Sequence, residues 1–250
     1  MTRDCAMKII RLEEVGSTND YAAAHASELD QMTMILAHRQ TSGRGQRGNS
    51  WESEPGKNLT FTLFFKPLNM LPREQFAISE AAALGIADYL RRRGIDAKVK
   101  WPNDIYAGNR KIAGILIEHS VSTVSIDHSR IGIGLNVNQT EFRSDAPNPV
   151  SMSMITGAGY DLDREIEAVG DFLGDKLALT SSPEGRENLH KEFLSSAWRL
   201  DGNVYPFRRK GDTGSFAGII RKIGTDGMLG VEDTATGVIG TYAFKEIIFL

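Results

Sequence analysis

Apolar residues recur along this chain with two different periods, and the changes of period outline the elements. Phe76, Ala83, Leu84, Ala87 and Leu90 repeat at helical spacing and the run closes at Gly94, which predicts a helix over 73–93. Leu59-Thr60-Phe61-Thr62-Leu63 alternates strictly, the pattern of a strand with one covered face. Met34 to Ala37 is a short apolar run, read as a buried strand, and 97–101, 112–118, 121–126 and 131–137 read as further strands. Ser17 and Asp20 have capping-box-like spacing ahead of the alanine-rich run Tyr21 to Ala26, which predicts a helix start. Two more helices are expected over about 162–179 and 183–198.

The texture changes after Trp198. Segments 218–223, 227–231, 238–244 and 246–250 are short strand patterns separated by turn signals, among them the hairpin dipeptide Asp226-Gly227. The expected fold class is α+β: a mixed-sheet domain packed with helices over 1–199, then a small β-barrel over 200–250. A loop over 138–150, with Pro147 and Pro149, is expected to be a mobile connection.

Composition narrows the classes. With 250 residues and 41% hydrophobic content the chain can bury one sizeable core. A formal net charge of −3 argues against bulk nucleic-acid affinity. The lone Cys5 forms no internal disulfide and no metal cluster, and no stretch approaches a membrane span or a signal peptide. These features together describe a soluble, cytoplasmic protein with no membrane partner.

Candidate chemistry begins at Gly43-Arg44-Gly45-Gln46-Arg47-Gly48, with Trp51 just beyond. Glycines leave this backbone free, and two arginines supply planar forks for phosphate or carboxylate. Between Gln31 and Trp51 there is no acidic residue. A cationic, glycine-rich loop suits closure over an anionic, phosphorylated intermediate. The spacing formally matches G-x-G-x-x-G, but no helix follows, so a dinucleotide fingerprint is not supported. A plain surface turn would account for the glycines and leave the arginines and tryptophan unexplained.

Lys100-Trp101-Pro102-Asn103-Asp104 places a forced turn at a strand end, and Arg110-Lys111-Ile112-Ala113-Gly114 opens a strongly apolar strand with a lysine. Each alone fits a turn or a solvated edge. Together they resemble a site for developing negative charge. Gly132-Ile133-Gly134-Leu135-Asn136 strips alternate side chains from one strand face, which admits a ligand or a close backbone. The five histidines (His25, His38, His119, His128 and His190) have no metal-ligand spacing, and no nucleophile elbow or P-loop is present. Arg91-Arg92-Arg93 reads as a solvated helix end, and Arg208-Arg209-Lys210 as a weak partner-facing patch.

In this order and spacing, Ser17-Thr18-Asn19, Gln40, the glycine loop with Trp51, Lys100 to Asp104, Arg110 to Gly114, the Gly132 to Asn138 strand and the terminal barrel resemble the biotin protein ligase family. The resemblance implies a biotin/lipoate-ligase-like domain with an SH3-like barrel, and a two-step reaction. Biotin's carboxylate and ATP, with Mg2+, give biotinyl-5′-AMP; a lysine of a biotin carrier domain of a carboxylase then takes the biotinyl group. By the same resemblance, biotin would contact Ser17, Thr18, Asn19, Gln40, Arg44, Gly45, Gln46, Lys111 and Gly114. ATP or adenylate would contact Arg47, Trp51, Asn103, Lys111 and Asn136. Lys111, Arg44 and Asp104 would carry the catalysis, and no protein-held metal site is expected. Such loops often carry arginine where this chain has Gln46, which lowers the local charge.

Some relatives carry an N-terminal helix-turn-helix domain; only sixteen residues precede Ser17, so DNA binding is not expected. The oligomeric state stays open, a homodimer included. Two alternatives remain: a lipoate or octanoate ligase, whose slot would need no ureido partner, and a non-catalytic biotin-binding effector module, which would not need Lys111.

Overall fold

The apolar pattern resolves into one broad sheet and one small one. The computed structural model describes residues 7–45, 50–143 and 148–250. Strands β1 (Ile9–Val15), β2 (Thr33–Gln40), β3 (Leu59–Phe65), β4 (Ala97–Lys100), β5 (Asp104–Ala107), β6 (Arg110–Val121) and β7 (Ile126–Leu135) form a mixed sheet in the order β1-β2-β3-β7-β6-β5-β4. β1 runs parallel to β2, and the remaining neighbours are antiparallel. The helices are α1 (Thr18–Ala24), α2 (Phe76–Arg92), α3 (Met152–Thr156), α4 (Leu162–Ala178) and α5 (Pro183–Ser196).

Strand alternation gives the sheet two unlike faces. Met34, Leu63 and Ile131 are cross-strand neighbours on the face covered by helices, where Gly170 of α4 approaches the Met34 sulfur. α2 packs between α4 and α5; at Gly85 a Cβ would stand 3.1 Å from the Leu173 Cα, so the missing side chain lets α2 and α4 approach. On the other face lie Ile35, Thr62 and Gly132, and α1 covers only part of it. Ile35 and Phe64 pack there with Ala22 of α1 in a small separate core.

The second unit is a five-stranded antiparallel, SH3-like sheet of β8 (Tyr205–Arg209), β9 (Phe216–Ile223), β10 (Leu229–Asp233), β11 (Ile239–Tyr242) and β12 (Ile247–Phe249), ordered β11-β10-β9-β8-β12. Its Phe207, Leu229 and Ile247 join the main core. The α+β class with a C-terminal SH3-like unit is therefore as expected.

Several local expectations need correction. The strand expected over 121–126 is the β6–β7 turn: Ser122 N–H donates to Ser125 O at 2.9 Å, and the serine hydroxyls bond within the turn. β1, β5 and β8 carry no clean alternation, and β8 contains Pro206, which argued against a strand. Ser17 stands at the start of α1, but its side chain caps nothing. The arginine cluster ending α2 is not simply solvated: Arg93 pairs with the buried Glu165 at 2.6 Å, and Arg91 donates to Ala97 O. Arg209 pairs with Asp233 at 3.0 Å within the small sheet rather than standing free for a partner. Cys5 lies outside the described residues, as do 144–147 of the expected mobile loop; Asn138, at that loop's start, bonds Tyr160.

One buried pair ties stability to pH. Glu80 of α2 is 2% exposed and meets His190 of α5 at 2.6 Å. Burial pushes the Glu80 carboxyl up to about 7, with the His190 hydrogen bond and charge pulling the other way. A proton held more tightly by the folded chain stabilises it below the unfolded carboxyl range, and that contribution is lost as pH rises through about 7. Glu80→Gln, which stays neutral, should raise the thermal midpoint at pH 8 and leave it nearly unchanged at pH 5. Equal shifts at both pH values in calorimetry would contradict this.

Candidate functional site

On the face that the main helices leave uncovered, the sheet forms the floor of a cleft of about 1100 Å3. Gly114 of β6 and Gly134 of β7 are direct cross-strand partners, and Gly132 pairs with Leu116. A Cβ on Gly134 would lie 2.1 Å from the Trp51 indole, and one on Gly132 would lie 2.6 Å from Asn19 Oδ1. The bare floor expected to admit a ligand or a backbone is met here by these two side chains. The Trp51 indole Nε1 is buried and has no hydrogen-bond partner among the described residues.

One end of the cleft is polar and neutral. Ser17, Thr18 and Asn19 enter it from the start of α1, and Gln40 from the end of β2. Gln40 Oε1 accepts from the Thr18 N–H at 2.7 Å and lies 3.1 Å from the Thr18 hydroxyl. With its oxygen taken, Gln40 offers the cleft an amide donor.

The opposite wall is charged. Lys111 of β6 pairs with Asp104 of β5 at 2.7 Å, both 23% exposed. The backbone of Lys111 is held by the 148–150 segment: its N–H donates to Asn148 O, and its carbonyl accepts from the Val150 N–H. Lys111 Nζ also sits 5.6 Å from the Trp51 ring centroid. Asn103 is committed to the fold, its amide donating to Ile115 O. Asn136 donates to Val150 O at 3.1 Å, while its Oδ1 is buried without a partner among the described residues. Lys100 donates to the Tyr106 hydroxyl at 2.9 Å beneath the Trp198 and Phe249 rings. Burial pulls its ammonium below the ordinary lysine range, against the pull of Asp104.

The stems of the glycine loop meet as a bridge between Arg44 and Ser50, with the Trp51 N–H donating to Gly43 O at 3.0 Å. Arg44 is not surrounded by a field without acids: it pairs with Asp20 at 2.6 Å and Glu118 at 3.2 Å. Acids absent from the flanking sequence are supplied by α1 and β6.

Of the expected site residues, Ser17, Thr18, Asn19, Gln40, Arg44, Gly45, Trp51, Asn103, Asp104, Lys111, Gly114 and Asn136 all line this cleft. Gln46 and Arg47 lie outside the described residues. Sequence reading missed Thr62, Glu118, and the small sheet's Lys210, Phe244 and Lys245, which close the far end. Only the strict alternation of β3, which sets Thr62 beside Thr60 on one face, signalled any of these.

Residues 12–136, half of the chain, match the family model described as the biotin/lipoate A/B protein ligase family. The chain is 33% identical over 243 residues to the bifunctional ligase/repressor BirA of Salmonella typhimurium, covering 94% of this chain and 72% of that protein. It is 35% identical over 158 residues to the biotin–[acetyl-CoA-carboxylase] ligase of Paracoccus denitrificans, covering 60% of this chain and 65% of that one. Several other curated relatives are spanned over half their length or less. The biotin protein ligase of Aquifex aeolicus, solved with biotin and ATP, superposes with a TM-score of 0.77 at 24% identity, over 97% of this chain and 98% of that one, which shows a shared fold.

The far wall depends on the small sheet through Trp101. Its indole donates to Gly227 O at 2.9 Å and its ring packs on Phe244 and Phe249. Trp101→Phe should lower the stability of the small sheet by about 1 kcal/mol, read as earlier hydrogen exchange in β9 and β10 than in β3. Unchanged exchange in all three strands would show that this contact does not hold the wall.

Proposed function

The chain belongs to the biotin/lipoate A/B protein ligase family as an enzyme of the biotin–protein ligase kind, and we propose that it joins biotin to a lysine of a carboxylase's biotin carrier domain. The supporting observation is the pairing, in one cleft, of a neutral amide-and-hydroxyl end with a lysine held at the other wall. Biotin's ureido ring needs donors and acceptors in fixed places, which Thr18 and Gln40 offer. Its carboxylate then reaches toward Lys111.

In the first step a carboxylate oxygen of biotin attacks the α-phosphorus of ATP. The new P–O bond forms as the bond to pyrophosphate breaks, giving biotinyl-5′-AMP. Two anions must meet for this, and Lys111 offsets their repulsion as charge builds on the phosphoryl oxygens. Arg44 is 41% exposed at the loop stem and supplies a second cation once it leaves Asp20. In the second step the carrier amine attacks the acyl carbon, AMP leaves, and the amine gives up a proton. We assign that proton to Asp104, whose contact with Lys111 sets a carboxylate in the cleft.

The nucleotide is assigned to the end lined by Asn136 and by Lys210, Phe244 and Lys245, with Trp51 against the adenine. Asn136 Oδ1, buried without a partner, suits an exocyclic amine. Asn103 acts by fixing the turn. Mg2+ would arrive on the phosphates and take one or two carboxylates. Asp104 and Glu52 in the cleft fit that, and no group of three or more metal-ligating side chains occurs among the described residues. No described helix is long and apolar enough to cross a membrane, and a cytoplasmic setting supplies both ATP and carrier.

Purified chain with ATP, Mg2+ and labelled biotin should label a biotin carrier domain and leave a lipoyl domain unlabelled with labelled lipoate. The reverse preference would favour lipoate ligation, and biotin binding without transfer a non-catalytic module. Lys111→Ala should slow biotin-dependent ATP–pyrophosphate exchange by about 100-fold or more, with a smaller change in biotin affinity. A loss confined to affinity would refute the charge-stabilising role.

A further inference from the structure

Reading the cleft as a biotin site leaves one carboxylate on its floor strand without a task. Glu118 lies on β6, on the same sheet face as Gly114 and Leu116, and three donors converge on it. Its Oε2 is 2.9 Å from Asn19 Nδ2, 3.2 Å from the Arg44 guanidinium and 4.0 Å from Arg130. Arg130 stands directly opposite on β7, and its Nε is buried with no partner among the described residues.

Asn19 carries the contact inward. Its Oδ1 accepts from the Thr62 hydroxyl at 2.6 Å, and Thr62 Oγ1 lies 2.8 Å from Thr18 Oγ1. The Thr18 hydroxyl and N–H both reach Gln40 Oε1. These contacts run from Glu118 to Gln40, with the Thr18 hydroxyl placed between Thr62 Oγ1 at 2.8 Å and Gln40 Oε1 at 3.1 Å. Gly132 makes room for this row, since a Cβ there would strike the Asn19 carboxamide.

The chemistry of the row has a direction. A carboxylate only accepts, so Glu118 at 2.9 Å, with the longer contact to the Leu116 carbonyl at 3.4 Å, draws Asn19 Nδ2 toward itself and turns Oδ1 to Thr62. Thr62 has one hydroxyl proton, and Oδ1 takes it. The Thr18 hydroxyl then donates to Thr62 Oγ1 at 2.8 Å, and its oxygen keeps a lone pair for a ligand N–H. Gln40, with its oxygen turned to Thr18, presents its amide nitrogen to a ligand carbonyl. Reversing Asn19 would send the Thr62 proton to Thr18, use one of its lone pairs and turn its own proton away from Thr62, which changes that match.

We infer that Glu118 is a positioning residue: its carboxylate sets the hydrogen-bond polarity of Asn19, Thr62 and the Thr18 hydroxyl, beside a Gln40 already held by the Thr18 backbone N–H, and, through Arg44, ties that row to the stem of the glycine loop. This inference rests on the biotin reading of the cleft and adds a specificity-determining group to it. A cross-strand ion pair between Glu118 and Arg130 with no further role would be indifferent to the ligand.

The test follows biotin-dependent ATP–pyrophosphate exchange on the whole chain. Glu118→Gln keeps the shape but can turn either its oxygen or its amide toward Asn19. Its KM for biotin should rise about tenfold while kcat stays within about threefold. Asn19→Asp alone sets two carboxylates face to face and should raise that KM further. Combined with Glu118→Gln, the same Asp still accepts from Thr62 and now receives a donor from position 118. The double variant should therefore recover at least about tenfold in KM over Asn19→Asp. An unchanged KM in Glu118→Gln, or a double variant as weak as Asn19→Asp, would overturn the inference. Calorimetric titration of the unaltered chain with biotin separates the levels. Absence of binding there overturns the functional reading and this inference together, whereas binding with either contrary kinetic result removes only the role of Glu118.

Discussion

A carboxylate and a triphosphate repel each other, and bringing them within bonding distance in a cleft partly shut off from water makes that repulsion stronger. The constraint is therefore electrostatic: a cation has to stand between them before they arrive. In the reaction proposed above that cation is Lys111: the sheet fixes its backbone on both sides, from β5 and from the 148–150 segment, and Asp104 holds its ammonium at 2.7 Å. An ion pair with only 23% of each side chain exposed loses much of its attraction to desolvation, so its contribution to folding is modest. For the proposed reaction, the pair leaves the ammonium already oriented, so little reorganisation would remain when a phosphate replaces the carboxylate.

The rest of the architecture serves that arrangement. The helices α2, α4 and α5 bury one face of the sheet, which leaves the other free for a site. Glycines at 114, 132 and 134 lower the floor, and Trp51 and Asn19 occupy the space this creates. The small sheet is anchored through Trp101 and through Arg199, which donates to the Leu250 carbonyl, so the far wall is built from residues distant in sequence.

Much of this was legible in the chain. α2, α4, α5 and β3 show themselves because periodicity is a relation between close neighbours, and a stripe at fixed spacing survives whatever it packs against. The cleft residues were legible for a different reason: Ser17 to Asn19, Lys100 to Asp104 and Arg110 to Gly114 are short, chemically unusual runs that match a family. What stayed hidden depends on long-range pairing. β1 pairs along one side only and mixes charge with apolar residues, so its seven residues lack a clean pattern. The stretch around Arg44 has no acids in sequence, yet Asp20 and Glu118 reach it through the fold. Asn19 and Glu118 are 99 residues apart, and no local pattern joins them.

Biotin's acid group and the nucleotide's α-phosphate are proposed to meet beside Lys111 over the glycine floor. A crystal structure of the chain with biotin and a non-hydrolysable ATP analogue tests it most directly. The ureido ring is expected against Thr18 and Gln40, the carboxylate over Gly114, and Lys111 Nζ within hydrogen-bonding distance of both carboxylate and α-phosphate. Biotin bound elsewhere, or Lys111 still paired with Asp104 and touching neither group, would contradict it.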